Sequence, residues 1–268
     1  MTKLKIGRFF YSNLFPIYYM LDKEADCSRY EFVEGAPSFL NKEIREGRID
    51  VSPSSSIEYL RNADLYDLIE GHSISSIGPV GSVFLFSSRP IEELAGATVA
   101  TSSQSETSVA LLRIILKKFL GVECAFTPTS DTLERALASY DACLVIGDDA
   151  LRESLRRPAP YIYDIGDLWH RHTGLPAVFA LWIVRKACCP GEKGLVESFT
   201  RDLDRAKTAA LHNLDKVAAA SPPGSYLSQQ ELVSYWRGIS YDFGNDHRKG
   251  LDLFRRYAGE LCLLTNNS

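Results

Sequence analysis

The chain has 268 residues, of which 45% are hydrophobic and 24% are charged, and its formal net charge at pH 7 is −4. This hydrophobic content is ample for a buried core and indicates one or two domains. Because the chain has no basic block and no apolar run long enough to cross a bilayer, nucleic acid and membranes are not expected as partners.

The N-terminal residues enter a strand pattern without the apolar segment or cleavage site of a signal peptide, so we expect a cytoplasmic protein. The six cysteines have no Cys-x-x-Cys spacing and are expected to be reduced, buried thiols. The sequence leaves open whether the protein is a monomer or a homodimer.

Short strands alternate with helices in the first third of the chain. Strands are predicted at Leu4–Phe10 and Phe32–Glu34. Helices are predicted to begin near Pro16 and to span Pro37–Glu46. A further short strand then leads into a turn within Ser52–Ser56 and a helix after it.

The same alternation continues to about residue 185, and the chain after it is predicted to be helical. The predicted elements are strands at Gly81–Ser88, Ala97–Ala100, Ala142–Ile146 and Ala177–Val184, and helices at Glu106–Leu120 and Thr132–Ser139. Gly121 is expected to end the first of these helices. Ser228 and Glu231 have the spacing of a capping box.

A weak echo relates two parts of the chain. Asp50 and Asp141 each follow a predicted helix and precede a short strand, and an acidic residue follows each of them eight positions later. This pattern indicates α/β units with mostly parallel sheets and crossover helices.

We predict two lobes. The chain is expected to build one lobe, to cross near Ser87–Arg89 into a second, and to return near Pro176–Phe179. Lobe 1 is then residues 1–88 plus 178–268, with a helical C-terminal part, and lobe 2 is residues 89–177. This layout resembles type II periplasmic-binding-protein-like folds, in which two hinge crossovers frame a ligand cleft.

Two hydroxyl-rich segments follow predicted strands and precede predicted helices. They are Ser52–Ser56 and Thr101–Ser108. The free N–H groups and positive dipole end at the start of a helix bind anions, and hydroxyl groups add further donors. Ordinary capping by serine or threonine is the alternative interpretation of either segment alone. Together, the two segments predict a site for a small dianion.

Several segments, in order along residues 4–185, resemble the menaquinone-biosynthesis family of the futalosine route. They are Asp50–Tyr59, Ser73–Val83, Thr101–Leu112, Ile146–Leu151, Asp164–Trp169 and Thr173–Trp182. The set is far more specific than any single segment. Two sister activities share this fold: chorismate dehydration and formation of 1,4-dihydroxy-6-naphthoate.

The resemblance favours the dehydrating branch. The naphthoate-forming branch is expected to have a working histidine in an Ile-Ile-His-Glu-like stretch, where this chain has Val145-Ile146-Gly147-Asp148. The implied activity is a cofactor-independent lyase reaction that converts chorismate to 3-[(1-carboxyvinyl)oxy]benzoate, the first step of the route. The alternatives are the sister synthase and a non-catalytic small-acid binding protein of the same fold, since fold alone does not separate them.

The resemblance implies that Asn13, in the first strand–helix turn, is the catalytic residue, and that the enolpyruvyl carboxylate of the substrate is the base. An asparagine amide donates hydrogen bonds at neutral pH without adding charge. From the residues alone, an N-cap before Pro16 is an equal interpretation of Asn13.

The predicted substrate-binding residues come from the two hydroxyl segments and from turns that follow or precede strands. They are Ser55, Ser56, Ser82, Gln104, Ser105, Thr107, Ser108 and Asp148. The charge of Asp148 is unfavourable beside a dianion unless the carboxyl is protonated or bonded elsewhere, so capping is the favoured interpretation of this residue.

The histidines and tryptophans are weaker candidates. His170 and His172 form an His-x-His pair without a third ligand at matching spacing, so a loop pair and no metal site are predicted. His72 is a candidate for reaching the cleft. Trp169 and Trp182 are expected to be buried aromatic residues rather than partners of a substrate ring.

Overall fold

A computed structural model describes residues 3–102, 106–222 and 226–265. The chain forms two compact units, Met1–Ile74 with Ala180–Phe243 and Ser75–Phe179 with Gly244–Ser268. The described residues contain two five-stranded sheets and the helices that accompany them. The predicted α/β class is confirmed.

The strands are short except for β4 and β10. In chain order they are β1 (Leu4–Arg8), β2 (Tyr30–Glu34), β3 (Val51–Ser55), β4 (Tyr66–Ser76), β5 (Val83–Ser87), β6 (Thr98–Ser102), β7 (Ala125–Thr129), β8 (Ala142–Ile146), β9 (Tyr161–Asp164) and β10 (Ala177–Arg185).

The helices alternate with the strands up to β10, except that β4, β5 and β6 follow one another without an α-helix, and after β10 helices succeed one another. They are α1 (Phe15–Glu24), α2 (Pro37–Arg45), α3 (Ser56–Arg61), α4 (Glu106–Ile114), α5 (Leu133–Ser139), α6 (Gly147–Arg156), α7 (Ile165–Thr173), α8 (Cys189–His212), α9 (Leu214–Ala219), α10 (Gln229–Gly238) and α11 (Asn245–Glu260). Within the described ranges, no helix combines the length and apolar character that a membrane span requires.

The two sheets have the same layout. Their strand orders are β2-β1-β3-β10-β4 and β7-β6-β8-β5-β9. The first three strands of each order run parallel, and the fourth runs antiparallel to the third. The predicted parallel sheets therefore each contain an antiparallel strand beside the central one.

The sequence echo at Asp50 and Asp141 is confirmed. Asp50 Oδ2 accepts a hydrogen bond from the backbone N–H of Lys5 at 2.8 Å, at the start of β1. Asp141 Oδ2 accepts one from the backbone N–H of Thr98 at 3.4 Å, at the start of β6. Each aspartate therefore ties the third strand of its sheet to the parallel neighbour.

The predicted lobe boundaries differ from the two units. β5 does not belong with the first sheet, because it pairs with β8 and β9. α11 belongs to the second unit, where Glu260 forms an ion pair of 2.6 Å with Lys118 and Phe254 contacts the edge of Trp169. The amphipathic pattern of α11 predicts a helix, but it does not specify which sheet that helix covers.

Most of the first hydroxyl segment is strand, which corrects the predicted turn. Ser52–Ser55 lie in β3 between β1 and β10, and Ser52 and Ser54 are buried. A Cβ on Gly7 of β1 would lie 2.4 Å from Ser52 Oγ, so β1 and β3 approach too closely for larger side chains. Serine and proline usually indicate turns, but here small side chains meet a packing constraint.

The other predicted strands and helices agree with the structure to different degrees. The strand Ala142–Ile146 and the Ser228–Glu231 capping box are confirmed. The helix predicted at Glu106–Leu120 ends at Gly121 as expected, although its last six residues, Ile115–Leu120, form a π-helical segment. The sequence interpretation missed β4, β7, β9 and α7.

The expectation of buried cysteines is correct only in part. Five cysteines in the described side chains are free thiols, and among them Cys143 is buried and Cys262 is exposed. Burial raises the pKa of the Cys143 thiol to about 11, so this thiol is neutral.

Candidate functional site

The candidate residues of the first unit lie at one edge of its sheet. β1 and β3 are parallel neighbours, and their carboxyl ends lead to Asn13 and to Ser55–Ser56. The antiparallel β10 brings Ala180 opposite Ser55 at this edge. The carboxyl ends of parallel strands are where open α/β sheets bind ligands.

Asn13 lies in a turn that is held by its backbone. Its carbonyl oxygen accepts a hydrogen bond of 2.6 Å from the buried Tyr241 hydroxyl. The neighbouring Ser12 carbonyl accepts one of 2.7 Å from Trp236 Nε1. The turn is thus fixed without using the Asn13 side chain.

The Asn13 side chain does not cap α1. The N-cap of α1 is Leu14, which makes no side-chain capping bond, so the capping interpretation is wrong. The side-chain Oδ1 is buried and has no hydrogen-bond partner among the described residues. Nδ2 is not among the buried atoms, and it makes no hydrogen bond with those residues. The N–H₂ group of the amide is therefore without a hydrogen-bond partner among the described residues.

Ser55 has a capping role and a second partner. Its Oγ accepts a hydrogen bond from the backbone N–H of Glu58 at 3.3 Å, which caps α3. Asn41 Nδ2, on α2, donates to the same oxygen at 3.1 Å. A hydroxyl oxygen has two acceptor lone pairs and one proton, so Ser55 is left to act only as a donor. No described residue accepts that proton.

A buried carboxylate fixes the position of Ser55. Glu58 accepts two hydrogen bonds from Arg45, at 3.1 and 2.9 Å, and one from the Tyr66 hydroxyl at 2.8 Å. Burial first, and then the Glu58 contact, raise the pKa of Tyr66, so this hydroxyl remains a donor. Asn41 and Arg45 are four residues apart on α2, which places them on one face. The Asn41–Ser55 and Arg45–Glu58 contacts together hold α2 against the start of α3.

Asn41 was missed by the sequence interpretation. It lies in a helix whose sequence shows only an amphipathic pattern, yet its side chain is 7% exposed and its Oδ1 has no partner among the described residues. A buried, partly unsatisfied amide is uncommon and requires an explanation. The signal was an asparagine on the buried face of α2, which is visible only once that face is known.

The other serines of the segment Ser52–Ser56 are buried. Ser54 and Ser56 are buried, at the end of β3 and the start of α3. Ser54 Oγ has no hydrogen-bond partner in the described part of the chain. Ser55 is the partly exposed member of the segment and is therefore its best candidate for ligand contact.

The candidate residues of the second unit also lie at one edge. The carboxyl ends of parallel β6 and β8 lead to α4 and α6, and antiparallel β5 begins at this edge because Val83 pairs with Ile146. The predicted residues brought to this edge are Ser82, Thr107, Ser108 and Asp148. Gln104 and Ser105 lie outside the described residues.

The loop before Ser82 is held by the Asp164 carboxylate. The backbone N–H groups of Val80 and Gly81 donate to it at 3.0 and 2.7 Å, and that of Asp167 at 3.1 Å. Burial nevertheless raises the pKa of Asp164, since desolvation outweighs these hydrogen bonds. The protein's own carboxylate occupies the start of α7, so this helix end is structural.

Two of the family-like segments meet at Gly166. A Cβ at this position would lie 2.4 Å from Ser76 Oγ and 2.7 Å from the Gly78 carbonyl oxygen. Glycine is therefore required for the close approach of α7 to the loop after β4. The two segments are therefore in contact in the folded chain.

Thr107, Ser108 and Asp148 lie in the first turns of helices. Thr107 and Ser108 are buried and Asp148 is half-buried, and all three have partners within the structure. The N-cap of α6 is Ile146, so the capping role predicted for Asp148 is wrong. A carboxylate in the first turn still interacts favourably with the helix dipole.

The His-x-His pair lies on α7, which corrects the predicted loop. His170 Nδ1 is 3.3 Å from the Leu175 carbonyl oxygen, and His172 stacks on Phe119 with ring centroids 4.9 Å apart. Among the described residues, no three histidine, cysteine, aspartate or glutamate side chains are grouped as a metal site requires. Trp169 and Trp182 are buried as predicted.

His72 is buried within β4, where 3% of its surface is exposed. Its Nε2 lies 2.7 Å from Asp204 Oδ1, with Lys207 and Asp242 nearby. Burial first, and then Lys207, lower the pKa of His72, and the opposing effect of Asp204 is smaller. The short Asp204 contact alone favours a charged ring, but Asp204 is largely exposed and well screened, so the neutral ring prevails.

Comparison with known proteins identifies a family and close relatives. A family model described as menaquinone biosynthesis matches residues 4–260. A chorismate dehydratase of Thermus thermophilus is 30% identical over 264 residues, which cover 93% of each chain. A chorismate dehydratase of Campylobacter jejuni is 30% identical over 209 residues, covering 75% of this chain and 74% of that protein.

Solved structures show the same fold at low identity. A protein of Archaeoglobus fulgidus has a TM-score of 0.77 and 17% identity, with 97% of this chain and 98% of that chain covered. The periplasmic aliphatic sulphonate binding protein SsuA of Escherichia coli has a TM-score of 0.65 and 13% identity, with 99% and 94% covered. The predicted periplasmic-binding-protein-like fold is confirmed.

Acidification is expected to destabilise the protein through His72. Because the folded state lowers the pKa of His72, its stabilising contribution is complete above the unfolded pKa of about 6.5, begins to fall below that value and is lost as the pH falls through the folded pKa. Between about pH 7.5 and about pH 5.5, the melting temperature should therefore fall further for the wild type than for His72→Gln.

Thermal unfolding followed by circular dichroism measures this difference. His212→Gln, an exposed histidine on α8, is the matched control and should track the wild type. A constant offset between the wild type and His72→Gln across the pH range would contradict the prediction.

Proposed function

Since the chain belongs to the menaquinone biosynthesis family, we propose that it dehydrates chorismate to 3-[(1-carboxyvinyl)oxy]benzoate. Two relatives named chorismate dehydratase support the proposal, and the first of them matches almost the whole chain. The observation that carries it is the accessible Asn13 amide at the carboxyl edge of the first sheet.

The reaction needs little covalent chemistry from the protein. A proton leaves the ring carbon next to the one that bears the hydroxyl, and the electron pair delocalises into the ring carboxylate. Hydroxide then leaves, the ring becomes aromatic, and the proton and hydroxide together account for one water. Positioning of the diacid and stabilisation of the enolate-like charge are the tasks left to the enzyme.

Asn13 is suited to stabilising the enolate-like charge. Its backbone carbonyl is fixed by Tyr241, so the side-chain N–H₂ group is held by a turn that need not rearrange. A preorganised neutral donor stabilises developing negative charge without forming a permanent ion pair. The proton acceptor in this proposal is the enolpyruvyl carboxylate of the substrate, as the family resemblance implies.

Ser55 is suited to positioning the diacid. Since Asn41 and the Glu58 N–H occupy both of its lone pairs, its hydroxyl proton is directed away from the protein acceptors. A donor-only hydroxyl is complementary to a carboxylate, which only accepts. Asn41 is then a positioning residue, because it acts on the substrate through Ser55.

The remaining predicted ligands stay predictions. Ser56 is buried at the start of α3, and Thr107, Ser108, Ser82 and Asp148 lie at the edge of the second sheet. The proposed role of the hydroxyl groups is to donate to carboxylate oxygens once the substrate is bound. Asp148 is the weakest candidate, because an ionised carboxylate has no proton to donate and its charge is unfavourable beside a dianion.

The proposed activity is tested by incubating the purified chain with chorismate and following the product by mass spectrometry. We expect loss of one water and appearance of an aromatic ultraviolet spectrum. Tight binding of chorismate without any dehydrated product would contradict the enzymatic proposal and would favour a small-acid binding protein.

Asn13→Ala is expected to keep the fold and lose most of the turnover. Removing one preorganised donor from an anion-stabilising site costs roughly 10²–10³ in kcat. The melting temperature should stay close to that of the wild type, because the Asn13 side chain makes no hydrogen bond with the described residues.

Steady-state kinetics with chorismate measure this effect. Asn245→Ala, an exposed asparagine at the start of α11, is the matched control and should leave kcat unchanged. Wild-type kcat in Asn13→Ala would rule out the catalytic role.

Ser55→Ala and Asn41→Asp are expected to raise KM. Ser55→Ala removes the donor and also the cap of α3, which costs about 0.5–2 kcal/mol of stability. Asn41→Asp offers Ser55 an acceptor, so the hydroxyl turns toward Asp and away from the substrate. Loss of one hydrogen bond to a charged group corresponds to roughly a tenfold or larger rise in KM.

Ser228→Ala separates capping from binding. Ser228 caps α10, so its loss should lower stability by a similar amount without changing KM. If Ser55→Ala lowered stability and left KM at the wild-type value, Ser55 would be a cap alone.

A further inference from the structure

A cavity of about 710 Å³ lies within the second unit, and none of the described residues predicted to bind substrate lines it. It is bounded by the π-helical segment after α4, by β7 and by the end of α11. Apolar walls come from Leu116, Val122, Phe126 and Leu261. Its volume falls within the range of about 300–1,000 Å³ that is typical of small-molecule sites.

Arg113 is the one cation of this cavity without a carboxylate partner among the described residues. Lys117 pairs with Glu123 at 2.8 Å, and Lys118 pairs with Glu260 at 2.6 Å. No ion pair or hydrogen bond is recorded for Arg113 within the described ranges. The lining therefore carries one uncompensated positive charge.

The guanidinium of Arg113 is positioned by an aromatic ring. Its Cζ lies 4.6 Å from the centroid of the Phe126 ring. Nε is buried without a partner in the described part of the chain, whereas the Nη groups are not among the buried atoms. The ring occupies a face of the guanidinium, so the end of the plane stays available for two parallel hydrogen bonds to a carboxylate.

The Arg113 side chain is partly buried and has no acid partner among the described residues. Burial lowers the pKa of Arg113, yet arginine stays protonated at neutral pH because its ordinary pKa is so high. The Nη groups are not buried and have no acceptor among the described residues, so they are available to a ligand in the cavity that supplies one.

We propose that this cavity binds an organic monoanion with an apolar body, such as a medium-chain carboxylate, through the Nη groups of Arg113. The carboxylate meets the guanidinium end-on, and the chain lies along the apolar walls. The single unpaired charge matches one carboxylate rather than the two of chorismate. Cys124 adds no charge, because burial raises the pKa of its thiol, which donates to the Leu94 carbonyl.

Isothermal titration of the full chain with octanoate tests the proposal. We expect saturable binding to the wild type, and binding at least about tenfold weaker to Arg113→Leu, since one charge-assisted bidentate contact is lost. Octan-1-ol, which has the same chain length without the charge, should bind as weakly to the wild type as octanoate binds to Arg113→Leu.

Two further variants guard against a folding artefact. Ala125→Trp fills the cavity from an exposed position on β7 and should also abolish binding. Arg255→Leu removes an exposed arginine of α11 that does not line the cavity, and it should bind octanoate like the wild type. Circular dichroism checks that all variants are folded.

Absence of octanoate binding to the wild type would overturn the proposal, and so would equal binding by Arg113→Leu or by octan-1-ol. Binding of chorismate has no part in the readout. The result is therefore independent of the proposed dehydratase activity.

Discussion

The candidate site of the first unit depends on the hydrogen bonds and the ion pair that the Glu58 carboxylate makes. It is buried at the start of α3, and it is satisfied by Arg45 of α2 and by Tyr66 of β4. A buried charge is tolerated only when such partners surround it, so three elements are held in one arrangement. Ser55 is the residue that caps α3 in this arrangement, and its orientation follows from it.

The two units have equivalent sheet layouts, but different carboxylates hold their loops and helices in place. Both sheets have the same strand order, and Asp50 and Asp141 make equivalent contacts to the parallel neighbour. The likeness ends eight residues later, where Glu58 is buried but Asp149 is an exposed partner of Arg152. In the second unit the half-buried Asp164 carboxylate holds the loop before Ser82 instead.

The candidate groups at the carboxyl edge of the first sheet are neutral hydrogen-bond donors. Arg8, next to the Asn13 turn, is paired with Asp22 and lies over the Tyr18 ring, and Arg45 is occupied by Glu58. These two cations therefore have structural partners, and among the described candidates at this edge Asn13 and Ser55 are the partly exposed residues with free donors. Neutral donors are suited to a reaction in which charge moves within the substrate, because they stabilise the developing anion without holding the dianionic product as strongly as a cation would.

The sequence by itself determined the alternation of strands and helices, the family-like segments and the candidates Asn13 and Ser55, because these depend on local patterns and turn chemistry. Tertiary structure decided that Ser52–Ser55 form a buried strand, that α11 belongs to the second unit and that Asn41 bonds Ser55. These features depend on contacts between residues distant in sequence, such as the close approach of Gly7 to Ser52. Local patterns do not record which faces meet, so such partners became visible only when the sheets were assembled.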